Sequence, residues 1–324
     1  MKNKKLPMNL NEVGYSVSDL FDLNVDSENF SCDELSIKDE LLVALGNYCS
    51  LNSKNITLTL GADGAIDLCF QLFKGKAFYV PFPSYSGFHE IAKKRRINKN
   101  NYKETDLLWL LDTLDENSVI LICHPENPSG KINNKILAHI NESKAIIIVD
   151  EAYIECCPEE SVLTSFKLSK NIFIVRTFSK AFAIPGLRLG YLVCDELWSK
   201  KILNMSLEFP VSNLSMYVGL QLLKKKDIIG FRLKKLTLIC KSVMNEISKL
   251  QYNVSNSSTY FFSLTLKSVI EAEELYNYLL SKGILSGDFC YAAKVRLCVL
   301  DAVSNRKLID ALTKFKQCRS LVEM

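Results

Sequence analysis

The sequence predicts an α/β protein with a large domain built on a mostly parallel sheet flanked by helices, followed by a smaller α+β domain. Three observations predict it. Strand-like and helix-like segments alternate over residues 56–194. The apolar runs in that stretch are short and rich in β-branched residues, which suits buried strands better than helices. Polar residues of chemical interest follow directly after those runs, where open parallel sheets carry their sites.

After Cys194 the pattern changes to long helical stretches, over residues 202–223 with an interruption at Pro210, and over residues 228–250. A strand near residues 259–265, a helix near 271–281, a strand at 295–299 and a closing helix complete the chain. The expected division is an N-terminal segment, 1–50, that joins the small domain, a large domain over 51–200, and linking helices with the C-terminal small domain over 201–324. A chain of 324 residues, 48% of them hydrophobic, is long enough to bury both cores.

Composition narrows the functional classes. A net charge of +4 makes no strong claim on nucleic acid, and the clusters at 93–96 and 224–226 read as solvated helix faces. Eleven cysteines, an odd count with no Cys-x-x-Cys pair and no recognisable signal peptide, point to reduced thiols in a cytoplasmic protein. The vicinal pair Cys156 and Cys157 reads as ordinary packing. His89, His124 and His139 are scattered, so no metal site is expected. No apolar run approaches the ~18 residues of a membrane span.

In chain order, residues 1–5 are expected to fray, and a helix is expected over 36–48 with Leu41, Leu42 and Leu45 on one face. The alternating segment 56–60 ends in Gly61-Ala62-Asp63-Gly64, a turn before a helix starting at Ala65. Free N–H groups at such a helix start suit a phosphate, although a Gly-x-x-Gly turn alone is more often just a turn. A strand at 77–80 leads through Pro81 and Pro83 to Tyr85, which can stack on a flat ring or simply pack in a core. The strand at 118–123 ends in a stiff loop that holds Asn127 between two prolines.

Two later segments carry the chemistry. Residues 145–149 are aliphatic and are followed by Asp150, which therefore sits at the mouth of a sheet buried on both faces and needs a cationic partner. A protonated pyridine nitrogen supplies one, and Tyr153, three residues on, can donate to a phenolate oxygen on the same ring. The competing reading of Asp150 and Glu151 is a magnesium-binding carboxylate pair, but no phosphate-binding Gly-x-x-x-x-Gly-Lys loop accompanies it. The apolar run 171–175 is followed by Thr177, Ser179 and Lys180, with Arg188 eight residues further on. An amine, a guanidinium and two hydroxyls together suit an aldehyde that bears a phosphate, and pyridoxal 5'-phosphate is that aldehyde; the bland alternative is a surface loop with a solvated lysine.

The strings Gly61-Ala62-Asp63-Gly64, Pro83-Ser84-Tyr85-Ser86, Pro125-Glu126-Asn127-Pro128, Val149-Asp150-Glu151-Ala152-Tyr153 and Arg176-Thr177-Phe178-Ser179-Lys180, with Gly186-Leu187-Arg188-Leu189-Gly190, resemble the class I/II aminotransferases of the fold-type I pyridoxal-phosphate enzymes. Within these they are most similar to the histidinol-phosphate aminotransferases of amino-acid biosynthesis. The resemblance runs over about residues 40–194 and thins towards the C-terminus. It implies that Lys180 attaches to the cofactor aldehyde and moves the substrate proton, that Asp150 partners the pyridine nitrogen, and that Tyr153 and Asn127 partner the ring oxygen. It further implies that Tyr85 stacks on the ring, and that Ala62 and Asp63 (through backbone N–H), Thr177, Ser179 and Arg188 hold the phosphate. Arg296 would bind a substrate carboxylate or phosphate, and the family forms homodimers.

The chain departs from the family near Cys32-Asp33, which usually carries Tyr-Pro, near Tyr260-Phe261, usually Asn-Phe, and at Ser286-Gly287, where an arginine usually grips a substrate phosphate. The implied activity is transfer of an amino group between a small-molecule donor, an amino acid or amino-alcohol phosphate, and a 2-oxo acid such as 2-oxoglutarate. The alternatives are a decarboxylase resembling the threonine-phosphate decarboxylases and a catalytically silent binding protein on the same fold.

Overall fold

The computed structural model describes residues 5–21, 35–164 and 170–322. The expected fraying of residues 1–4 and the departure at Cys32-Asp33 lie outside them. The chain forms two compact units, one of Ser16–Pro125 and Asn133–Gly230, the other of Met1–Tyr15, Glu126–Ile132 and Phe231–Met324.

After a two-residue strand β1 (Leu6–Pro7), which belongs to the second unit, the first unit opens with α1 (Leu35–Cys49). Leu41 and Leu45 are fully buried while Leu42 is half-buried, so the apolar face is narrower than the three leucines suggest. The helix packs on β2 and on α7, described below, and so belongs to this unit and not to the small domain assigned from sequence. The chain continues through β2 (Ile56–Leu60), α2 (Gly61–Leu72), β3 (Ala77–Pro81), α3 (Ser86–Arg95), β4 (Lys99–Tyr102), α4 (Leu107–Thr113) and β5 (Ser118–Cys123). Then follow α5 (Ile136–Glu142), β6 (Ile146–Asp150), β7 (Ile172–Thr177), β8 (Leu189–Val193), α6 (Glu196–Met205), α7 (Asn213–Leu223) and α8 (Lys226–Lys249), whose later turns pass into the second unit.

One seven-stranded sheet organises the first unit in the order β2-β8-β7-β6-β5-β3-β4. The strands from β4 to β7 pair in parallel, while β8 runs antiparallel to both its neighbours. Strands β5, β6 and β7 are buried along their whole length, as expected of parallel strands covered on both faces. Helix α2 begins at Gly61 itself and not at Ala65, because a positive φ of 65° at Gly61 turns the chain from strand to helix in one residue.

Gly190 on β8 faces Thr59 of β2 and Thr177 of β7, and a Cβ added there would lie 2.5 Å from the Gly61 carbonyl carbon. Backbone cannot yield there without parting β2 from β8. Gly190→Ala should therefore destabilise the protein by about 1–3 kcal/mol, the usual cost of overpacking a core, as measured by chemical denaturation.

The second unit holds a four-stranded antiparallel sheet, β12-β13-β10-β9, built from β9 (Asn253–Val254), β10 (Phe261–Thr265), β12 (Gly287–Phe289) and β13 (Lys294–Cys298). Helices α9 (Val269–Ser281) and α10 (Ala302–Val322) accompany it, and β11 (Ile284–Leu285) pairs in parallel with β1. In this sheet Arg296 lies directly opposite Ser263 on one side and Gly287 on the other.

Candidate active site

The first unit gathers most of the singled-out residues at the C-terminal ends of β6 and β7 and at the start of α2. Asp150 is the last residue of β6 and is 5% exposed. Its carboxylate accepts a hydrogen bond from the Ala152 N–H at 3.1 Å. Burial pushes its carboxyl up to about 7; the Ala152 bond and the Lys180 charge work against that shift, and the Asp63 carboxylate adds to it. A buried carboxylate in this state is stabilised by any cation placed against it.

Lys180 lies three residues past β7 and is half-buried, with its Nζ 5.4 Å from the centre of the Tyr153 ring. Thr177 Oγ1 donates to Ser179 Oγ at 2.9 Å and accepts from the Ser179 N–H at 3.1 Å, so one short turn holds both hydroxyls and aims the following lysine. Arg188 comes to the same place from the start of β8, its backbone in the left-handed region at φ 51°.

Asp63, in the first turn of α2, connects two of these groups through its side chain. Its Oδ1 accepts from the Tyr85 hydroxyl at 3.0 Å and its Oδ2 accepts from Arg188 at 2.9 Å. Burial first, and then this carboxylate, raise the Tyr85 phenol above its ordinary value, so it stays protonated and donates. A Cβ at Gly61 would lie 2.9 Å from an Arg188 terminal nitrogen, so the missing side chain leaves the guanidinium room beside the helix start. The sequence assigned Asp63 only its backbone N–H, and a carboxylate at a helix start is the signal that its side chain has work of its own.

Asp150 and Glu151 do not form a magnesium pair. Glu151 accepts from Arg176 at 2.9 and 2.7 Å and from the Val162 N–H at 2.7 Å, and the Ser161 hydroxyl donates to both its oxygens. Its charge is thus spent on a buried structural ion pair, and among the described residues no cluster of three or more His, Cys, Asp or Glu suits a metal ion. The Arg176–Glu151 pair went unread in the sequence, where Arg176 shows only as the residue before Thr177.

Asn127 and Arg296 belong to the second unit, where Arg296 donates to Asn127 Oδ1 at 2.8 Å. Among the described residues no helix is long and apolar enough to cross a membrane.

These groups suit pyridoxal phosphate: a buried carboxylate at a strand end for the ring nitrogen, an amine whose charge reaches it for the aldehyde, and a guanidinium, two hydroxyls and the start of a 12-residue helix for the phosphate. With a mostly parallel sheet, this defines a fold-type I pyridoxal-phosphate enzyme. The chain belongs to the class I and II aminotransferase family, whose model matches residues 29–312. It is 27% identical over 285 residues to a histidinol-phosphate aminotransferase of Buchnera aphidicola subsp. Melaphis rhois, covering 83% of this chain and 79% of that one.

Among solved structures, the histidinol-phosphate aminotransferase of Clostridium acetobutylicum superposes with a TM-score of 0.83 at 25% identity, over 96% of this chain and 99% of that one. The L-threonine-O-3-phosphate decarboxylase of Porphyromonas gingivalis shares the fold, with a TM-score of 0.75 at 24% identity over 86% and 88% of the two chains. The chain is a pyridoxal-phosphate-dependent aminotransferase.

Proposed function

We propose that this aminotransferase moves an amino group between an amino acid or amino-alcohol phosphate of the histidinol-phosphate type and a 2-oxo acid, with 2-oxoglutarate as acceptor. The observation that carries this reading is the placement of buried Asp150 at the end of β6 and of Lys180 three residues past β7, with Lys180 Nζ 5.4 Å from the centre of the Tyr153 ring, in a chain of this family. Bound pyridoxal phosphate supplies an electron sink for the substrate α-carbon.

The residues divide the remaining work. The Asp150 carboxylate holds the proton on the ring nitrogen, and Lys180 Nζ takes the α-proton and returns it. Tyr153 donates to the ring oxygen, and Tyr85 covers the ring face. The N–H groups of Ala62 and Asp63, the hydroxyls of Thr177 and Ser179, and Arg188 bind the phosphate. Arg296 receives the anionic end of the substrate. The protein acts as a homodimer in the cytoplasm.

The purified protein loaded with pyridoxal phosphate is to be incubated with a panel of amino donors and 2-oxoglutarate. Glutamate formation supports the reading, and release of carbon dioxide without glutamate overturns it in favour of a decarboxylase. Arg188→Ala should weaken cofactor binding by about ten- to a hundredfold, the loss of one charge-assisted hydrogen bond of about 1.5–3 kcal/mol, seen in a fluorescence titration. Its melting temperature should hardly move, because the Arg188–Asp63 pair is 45% and 42% exposed and contributes little to the fold.

A further inference from the structure

Helix α3 begins with two residues that suit a helix start poorly. Its N-cap position is Tyr85, whose side chain makes no hydrogen bond to the helix, where serine, threonine, aspartate or asparagine would satisfy a free N–H. Two residues on, Gly87 lies in the first turn without a positive φ to call for glycine, and alanine is the stronger helix former there. One arrangement explains both departures. The Tyr85 hydroxyl donates to Asp63 Oδ1 at 3.0 Å instead of capping its own helix. A Cβ on Gly87 would lie 2.2 Å from Tyr85 Cε1, 2.6 Å from Cζ and 2.9 Å from the hydroxyl oxygen, so the ring lies across the bare backbone of the glycine. Local rules broken together in one place are expected where function chose the residues.

The ring is held at the site described above, within the first unit. Asp63 Oδ2 accepts from Arg188 at 2.9 Å, which steadies the carboxylate and with it the oxygen that receives the tyrosine. Arg188 is tied in turn to the Pro185 carbonyl at 3.2 Å. After burial and the Asp63 carboxylate, Asp150 and Tyr153 also raise the Tyr85 phenol, so the ring stands within electrostatic reach of two residues assigned to the cofactor ring. Phe88 meets it edge-on, with ring centres 5.4 Å apart. A tyrosine side chain turns about two bonds, and an anchored hydroxyl with a walled ring leaves neither free.

We propose that Gly87 and Asp63 are positioning residues for Tyr85: the glycine leaves the space that the ring occupies, and the carboxylate, steadied by Arg188, anchors its hydroxyl. The proposal rests on the reading above, in which Tyr85 covers the cofactor ring, and adds the two groups that hold it there.

The test compares Gly87→Ala, Asp63→Ala, Asp63→Asn and Tyr85→Ala, each checked for folding by its melting temperature, in two measurements. In the first, the cofactor-free protein carries tyrosine isotope-labelled at Cζ, and the Tyr85 magnetic resonance signal is the one that vanishes in Tyr85→Ala. It should move in Gly87→Ala and in Asp63→Ala, and move least in Asp63→Asn, whose amide oxygen still accepts a hydrogen bond. In the second, pyridoxal phosphate is titrated by fluorescence. Tyr85→Ala should weaken binding by about three- to tenfold, the worth of one aromatic contact, and Gly87→Ala by a similar factor. In the Tyr85→Ala background Gly87→Ala should cost nothing more, since the ring that it displaces is gone.

A Tyr85 signal that stays in place in Gly87→Ala overturns the proposal, and so does an equal loss of binding on Gly87→Ala with and without the Tyr85 ring. If Gly87→Ala does not fold, the Asp63 variants decide, and a signal that moves no further in the alanine than in the asparagine variant overturns the proposal. If Tyr85→Ala binds the cofactor as tightly as the natural protein, the role given to Tyr85 above fails and the proposal with it. If Tyr85→Ala binds weakly and Gly87→Ala normally, the proposal alone fails.

Discussion

Replacing Lys180 with alanine should lower glutamate formation by about a thousandfold or more, because a positioned acid–base group alone contributes about 10²–10⁴-fold and the covalent attachment point is lost with it. The fold should survive, since the side chain is half-buried at the rim of the sheet and lies outside its core. Lys180→Arg keeps the positive charge near Asp150 but not a transferable proton or an amine that can bond to an aldehyde. It should be as inactive as the alanine variant, which separates chemistry from electrostatics. Borohydride treatment should fix the cofactor to the natural protein and to neither variant, as read by mass spectrometry. An arginine variant that retains a tenth of the activity would remove Lys180 from the centre of the reaction.

Asp150→Asn should lower the rate by about 10²–10³-fold, the usual cost of removing one preorganised charged partner. It should also change how stability depends on pH. In the cofactor-free protein burial raises the Asp150 carboxyl to about 7, against 3.8 for an exposed aspartate. The folded state therefore holds this proton more tightly than the unfolded one. Stability from this group is greatest below about pH 4, declines as the pH rises towards 7 and levels off beyond, for a total of about 4 kcal/mol at about 1.36 kcal/mol per pKa unit.

The asparagine variant should lose that slope. Glu155, which burial also lifts to about 7, gives a slope of the same sign that the variant keeps. Loading the natural protein with pyridoxal phosphate should flatten the Asp150 contribution, because a cation then faces the carboxylate. Denaturant midpoints at pH 5 and pH 8, for both proteins with and without cofactor, check this. Parallel lines for the two cofactor-free proteins would contradict it.

Much of this was legible from the chain because buried parallel strands announce themselves. Residues 119–123, 145–149 and 172–175 are unbroken apolar runs, and Asp150 and Lys180 were located by counting from their ends. Strand β4 was not legible, since Lys99, Asn100 and Asn101 are polar and the strand exists only because β3 offers it a partner. Its propensity is overridden by pairing at a sheet edge. The short helices α4 and α5 were passed over for a similar reason: seven residues leave too little periodicity to read.

The links among Asp63, Tyr85 and Arg188 depend on residues far apart in sequence. Pattern along one segment cannot reveal them. The ion pair of Arg176 with Glu151 is the same case, since each residue looks like a neighbour of something more conspicuous.

Arg188 holds a backbone conformation that suits glycine, at a penalty of about 1–2 kcal/mol for a residue bearing a Cβ. Selection for thermal robustness alone would therefore favour a glycine in its place, and the more heat-resistant descendant would be the poorer catalyst. On the role proposed for Arg188 at the cofactor phosphate, durability and catalysis would pull in opposite directions at that position.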